Sequence, residues 1–164
     1  MHIDVKAEPA ETADLPVRLR DVLAYWDGLR GEDWAPAWTD FRLPDLASKT
    51  IPFVIILDVI QDPLDFVYRF WGTGNTATIG YDCTGMSVRR NKLFSAKVFG
   101  ECAQLVEERR PMVWFSKVMR DDGLYREYTR LRAPLSDDGA AVTHIVSVLQ
   151  IEETLDDVFA PVPD

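Results

Sequence analysis

The sequence predicts an α+β domain: a five-stranded antiparallel sheet with helices on one face and an amphipathic helix leading in from the N-terminus. Three observations carry this. Residues 51–85 hold two strand-like runs, 53–60 and 66–71, joined by a short Asp/Pro turn and followed at once by a cramped, glycine-punctuated stretch. Two Asp-Asp-Gly turns, at 121–123 and 137–139, separate three more strand-like runs at 112–120, 124–134 and 142–152. Asp-Gly between such runs is a strong hairpin signal. A long helical stripe at 92–110 lies between the two groups, and this grouping of strands suits an antiparallel sheet.

Residues 1–13, rich in Ala, Glu and Asp, predict a mobile tail. Across 14–31, Leu15, Leu19, Val22, Trp26 and Leu29 recur at spacings of 4, 3, 4 and 3, an apolar seam over two heptads that Gly31 stops. The seam packs on its own domain, pairs with a second copy, or does both. A homodimer with contacts from Leu19, Val22, Trp26 and Leu29 is the expectation, since two-fold dimers are the commonest oligomers. Residues 32–52 are a connecting segment anchored by Trp34 and Trp38.

In the 92–110 helix, Phe94, Val98, Cys102 and Leu105 share one stripe; Arg109 and Arg110 suit the helix dipole at its end, and Pro111 terminates it. The strand 142–150 is apolar on both faces, with Val142, Val146 and Val148 on one and Ile145, Leu149 and Ile151 on the other. It should therefore be central and covered twice. The acidic residues 156–164 are expected to fray, leaving one domain over 14–155.

The net charge of −9 and pI near 4.7 argue against nucleic acid, whose phosphates demand a basic patch. Arg89-Arg90, Arg109-Arg110 and the alternating Arg126, Arg130 and Arg132 read as solvated or salt-bridged surface. Cys83 and Cys102 form no framework, the N-terminus lacks the apolar core of a signal peptide, and no apolar run reaches the length of a membrane span. A cytoplasmic protein with reduced thiols, not inserted in a membrane, is the expectation.

The layout resembles the PAS fold, with Gly80-Tyr81 where a Gly-aromatic pair ends the first strands. The chain is more closely similar to a family of small stand-alone bacterial PAS proteins. The matching residues are Tyr25-Trp26-Asp27-Gly28-Leu29-Arg30-Gly31, Leu57-Asp58-Val59, Tyr68-Arg69, Gly72-Thr73, Gly80, Asp82, Thr84-Gly85 and Asp138-Gly139. The resemblance spans roughly residues 20–152 and implies a sensor or interaction module that relays a signal to a separate signalling protein, not an enzyme. It carries no catalytic residue and no assigned ligand.

The chemistry-bearing candidates are few. Gly72, Gly74 and Ala77 fit a dinucleotide-binding turn, but Gly80 and Gly85 interrupt the helix that such a turn requires. Residues 92–110 contain no histidine to ligate haem, neither cysteine sits in a flavin-adduct motif, and no cluster offers the three or four ligands zinc wants. No cofactor and no metal are expected. If 138–139 is a two-residue loop, His144 lies beside Ala133, and His144, Glu127, Thr129 and Gln150 share a face with Trp114 nearby. Trp114, Glu127, Thr129 and His144 are thus candidate walls of a small uncoloured ligand's pocket. The alternative is a small cone-shaped enzyme of the ketosteroid-isomerase type, with Asp58 and Tyr68 converging in an apolar cavity.

Overall fold

A computed structural model describes residues 1–152 and 155–160 of the chain. Six strands, β1 (His2–Pro9), β2 (Val54–Ile60), β3 (Asp65–Trp71), β4 (Met112–Met119), β5 (Tyr125–Leu135) and β6 (His144–Ile151), form one antiparallel sheet in the order β1-β4-β5-β6-β2-β3. Helices α1 (Val17–Arg30), α2 (Thr73–Ile79), α3 (Ser95–Glu108) and α4 (Asp156–Phe159) complete it. The two-sided strand β6 is interior, between β5 and β2. This is the antiparallel α+β arrangement the sequence predicts, with a sixth strand added.

The added strand corrects the reading of residues 1–13 as a mobile tail. Ile3, Val5 and Ala7 alternate with Asp4, Lys6 and Glu8, the period of a strand. β1 pairs along the length of β4, from His2 opposite Met119 to Pro9 opposite Met112, and thereby satisfies backbone groups that an edge strand would leave bare. At the other end, the expected fraying tail is a helix over 156–159, anchored by Leu155 and Val158 against Val118, Tyr128 and Leu149. Residues 161–164 lie outside the described residues.

One face of the sheet presents Val54, Ile56, Val113, Leu131, Ala133, Val146 and Val148, and α1 and the 32–53 segment pack on it. Leu19, Val22 and Trp26 are buried there, Leu29 half-buried, and Trp26 Nε1 donates to the Pro134 carbonyl at 2.7 Å. The apolar seam thus closes on its own sheet. Leu19, Val22 and Trp26 are therefore not free to supply the expected contacts to a second copy, while Leu29 is only partly covered. An apolar sheet face beside the helix withdraws each such side chain from water, a gain of about 1.5–3 kcal/mol apiece.

The opposite face carries Ile55, Leu57, Phe66, Tyr68, Trp71, Met112, Trp114 and Ile145, under α2, α3 and a 3-10 turn at Val88–Arg90. Val142 packs on this side, with Ile145 rather than with Val146, because the strand begins only at His144. The glycines at 72 and 74 have a packing cause: a Cβ on Gly72 would lie 2.3 Å from the Pro52 carbonyl oxygen, and one on Gly74 2.8 Å from the Phe53 ring. They let α2 seat directly on residues 51–53, and α2 is only seven residues long.

Candidate functional site

Strand parity on β5 puts Tyr128, Arg130 and Arg132 on the helical face, since they pair with Ser116, Trp114 and Met112 of β4. β2 and β6 add Ile55 and Leu149; β3 adds Tyr68 and Trp71. Asn75, Thr78 and Ile79 of α2 close the space from above, with Asn91, Phe94, Lys97 and Val98 from the approach to α3 and its first turn. These groups surround a cavity of about 40 Å³, room for a few water molecules at about 10–15 Å³ each.

The cavity's electrostatics are set by a buried ion pair. Arg132 is 2% exposed and Glu101 of α3 is 5% exposed. Arg132 Nε and Nη2 both donate to Glu101 Oε2, at 3.0 and 2.8 Å, and Arg132 Nη1 donates to Ser147 Oγ at 3.0 Å. Lys97 takes the other oxygen of Glu101. Burial favours the protonated acid, but Arg132 and Lys97 outweigh it and hold Glu101 below the ordinary carboxylate value.

Arg130 is different. Its Nη1 donates to Ser147 Oγ at 3.3 Å, and among the described residues it makes no ion pair with a carboxylate. Burial first, then the adjacent Arg132, push it down to about 10. Among the described residues, Lys97, Arg130 and Arg132 therefore bring three cations to a space served by one carboxylate. Asn75 adds an unspent acceptor. Its Nδ2 donates to the carbonyls of Pro52 and Val54 at 3.3 and 3.2 Å, which fixes the amide's orientation, and its buried Oδ1 has no partner among the described residues. Elsewhere on the wall, Asn91 Nδ2 donates to the Tyr68 hydroxyl at 3.2 Å and Asn91 Oδ1 accepts from Tyr81 at 2.8 Å. Burial pushes Tyr68 up to about 12.

The four residues that sequence reasoning offers as pocket walls do not converge. Trp114 is on the helical face, its ring 5.9 Å from the Arg132 guanidinium, but outside the cavity lining. Glu127, Thr129 and His144 share the opposite face, as their parity requires. The loop between β5 and β6 spans 136–143, so His144 pairs with Leu135 rather than Ala133, a two-residue slip that keeps the face. Glu127 and Thr129 border an open groove with Gln150, and His144 stands apart from it. There it stacks on Trp38 at 5.3 Å, with Asp58 3.3 Å from Nε2 and Asp137 3.5 Å from Nδ1. Asp58 also holds Arg69 at 2.6 Å.

The enzyme alternative loses its geometry. Leu57 pairs with Tyr68 and Asp58 with Val67, so Asp58 and Tyr68 point to opposite faces of the sheet. Among the described residues no group of three or more His, Cys, Asp or Glu could hold a metal ion, and no helix is long and apolar enough to cross a membrane.

The residues that sequence reasoning missed are Arg130, Arg132, Glu101 and Asn75. One signal was available: Glu101 lies in the apolar stripe of α3, three residues after Val98 and four before Leu105. A charge in that position needs a buried partner.

No family model matches the chain, and no curated protein matches it. Among solved structures, it is similar to a light-oxygen-voltage domain described in connection with a flavin analogue, at 18% identity, covering 62% of this chain and 77% of the other, with a TM-score of 0.44. It is similar to an RNA-binding light-oxygen-voltage receptor at 12% identity, covering 92% and 39%, with a TM-score of 0.49. A third is the light state of the blue-light photoreceptor Aureochrome1 LOV, at 15% identity, 65% and 85% coverage, and a TM-score of 0.41.

Proposed function

We propose that the chain is a PAS-type sensor module without catalytic activity, in which a small uncoloured ligand in the cavity under α2 and α3 biases contacts with a separate signalling protein. The observation that carries this reading is the cavity itself: a space with an apolar body and, among the described residues, a cation without a carboxylate and an acceptor without a donor, which is the make-up of a ligand site. α2 and α3 reach the ligand space directly, and β6 links it to α1 on the other face. A ligand works through this frame only by binding one arrangement of the helices better than another.

The residues do not fit a flavin. Pockets for ligands of that size run on the order of 300–1,000 Å³, and the side chains of Tyr68, Trp71, Arg130 and Arg132 occupy the walls of a far smaller space. Neither Cys83 nor Cys102 lines it, and burial pushes both thiols up to about 11. If the chain forms a homodimer, the interface must use surfaces other than the buried Leu19, Val22 and Trp26.

Native mass spectrometry of freshly purified protein, with a thermal-shift screen of small metabolites, tests the reading. A retained or stabilising small molecule that also changes hydrogen exchange in α2 and α3 is the expected result. A bare mass with no stabilising compound in the screen refutes it.

A further inference from the structure

We propose that the cavity is a receptor site for a short organic carboxylate, about two or three carbons long with a hydroxyl or amino donor beside the carboxylate, bound between Arg130 and Asn75. This rests on the sensor reading and names the ligand class. Three observations select that class. First, Arg130 is the cavity's one cation without a carboxylate partner among the described residues, while Lys97 and Arg132 already share Glu101. An anion would complete the pairing that burial demands. Second, among the described residues the buried Asn75 Oδ1 accepts from nothing, although its amide nitrogen is fully engaged. An acceptor on α2, across from Arg130 on the sheet, disfavours an ion that only accepts, such as sulfate or a halide, while the hydrogen phosphates carry a donor but no carbon skeleton. It asks for a molecule with an anionic end and a donor end. Third, Ile55, Ile79, Val98 and Leu149 supply apolar wall between the polar groups, suited to a carbon skeleton. The volume of about 40 Å³ limits that skeleton to a few heavy atoms.

The test uses the full chain and isothermal titration calorimetry with glycolate, acetate, glycolamide and inorganic phosphate. Glycolate is expected to bind, acetate more weakly for want of the donor, and neutral glycolamide and phosphate not detectably. Arg130→Gln should weaken glycolate about tenfold to a hundredfold, the range for a hydrogen bond to a charged group. Asn75→Ala should reduce glycolate to the level of acetate and leave acetate unchanged. Equal binding of glycolamide, preference for phosphate, or full affinity in Arg130→Gln overturns the proposal. If Arg130→Gln fails to fold, the Arg130 Nε–Hε resonance of the unaltered protein decides: it moves on adding glycolate, or the proposal is wrong. Should no carboxylate bind while another compound class stabilises the protein, the carboxylate site falls and the sensor reading stands. Should nothing bind, both fall.

Discussion

Replacing Glu101 with Gln keeps the shape of the side chain and removes its charge. Arg132, 2% exposed, then keeps its bond to Ser147 but loses the carboxylate that takes both Nε and Nη2, and Lys97 loses its partner too. Breaking a buried pair from one side costs about 3–5 kcal/mol, because the remaining charge cannot return to water. For a domain of this size each kcal/mol shifts the melting temperature by about 2–4 °C, so Glu101→Gln should melt roughly 6–20 °C lower. Removing both charges, as Glu101→Leu with Arg132→Met, leaves no orphaned charge on the deeply buried pair, only the more exposed Lys97, and should cost far less than the two single changes together. Urea denaturation followed by tryptophan fluorescence reads all four corners of the cycle, with an unchanged slope confirming that only stability moved. If Glu101→Gln costs under about 1 kcal/mol, or the single changes add to the double within about 0.5 kcal/mol, the two residues do not act as a unit and the electrostatic account of the cavity is wrong.

Gly72→Ala drives a Cβ to 2.3 Å from the Pro52 carbonyl oxygen and should lower stability by about 1–3 kcal/mol or more, whereas Gly100→Ala meets open space on α3 and should raise it by about 0.5–1 kcal/mol; thermal melts of the two must move in opposite directions. Burial holds His144 below its ordinary value of 6.5 against the opposing pull of Asp137 and Asp58. The native state then binds fewer protons than the unfolded one, so stability falls as pH drops below about 6.5 and the loss is complete once pH passes the native pKa. His144→Gln should flatten that part of a stability-versus-pH curve. Leu19→Ala should cost about 2–5 kcal/mol as a core deletion while leaving the oligomer mass by light scattering unchanged.

Much of the frame is legible in the sequence because it rests on local signals. The Asp-Gly turns locate the hairpins, and the two-sided apolar run around Val146 and Leu149 locates the interior strand. β1 is harder: the alternation of Ile3, Val5 and Ala7 is present, but charged partners and an exposed outer surface make it read as a tail. The cavity is harder still. Arg130 and Arg132 look like surface charges on a strand, and only the long-range packing of α3 on β5 shows that Glu101 meets Arg132. The helical seam of α1 is legible as a seam, yet its spacing carries no information about whether its own sheet or a second copy covers it. His144 keeps its predicted face because the error in loop length happened to be even.

Among the described residues β1 pairs with β4 alone, His2 facing Met119. Residues 10–111 separate β1 from β4, so during synthesis β1 waits for that whole stretch before its partner exists. The pairing closes a very long loop, whose entropic cost grows only slowly with length but delays the contact. β1 should accordingly be last on and first off, detaching as a unit at a free energy below that of global unfolding. Its detachment strips β4's outer edge and leaves untouched the cavity walls on β2, β3, β5 and β6. The sheet thus has one labile margin, and it lies on the side away from the cavity walls.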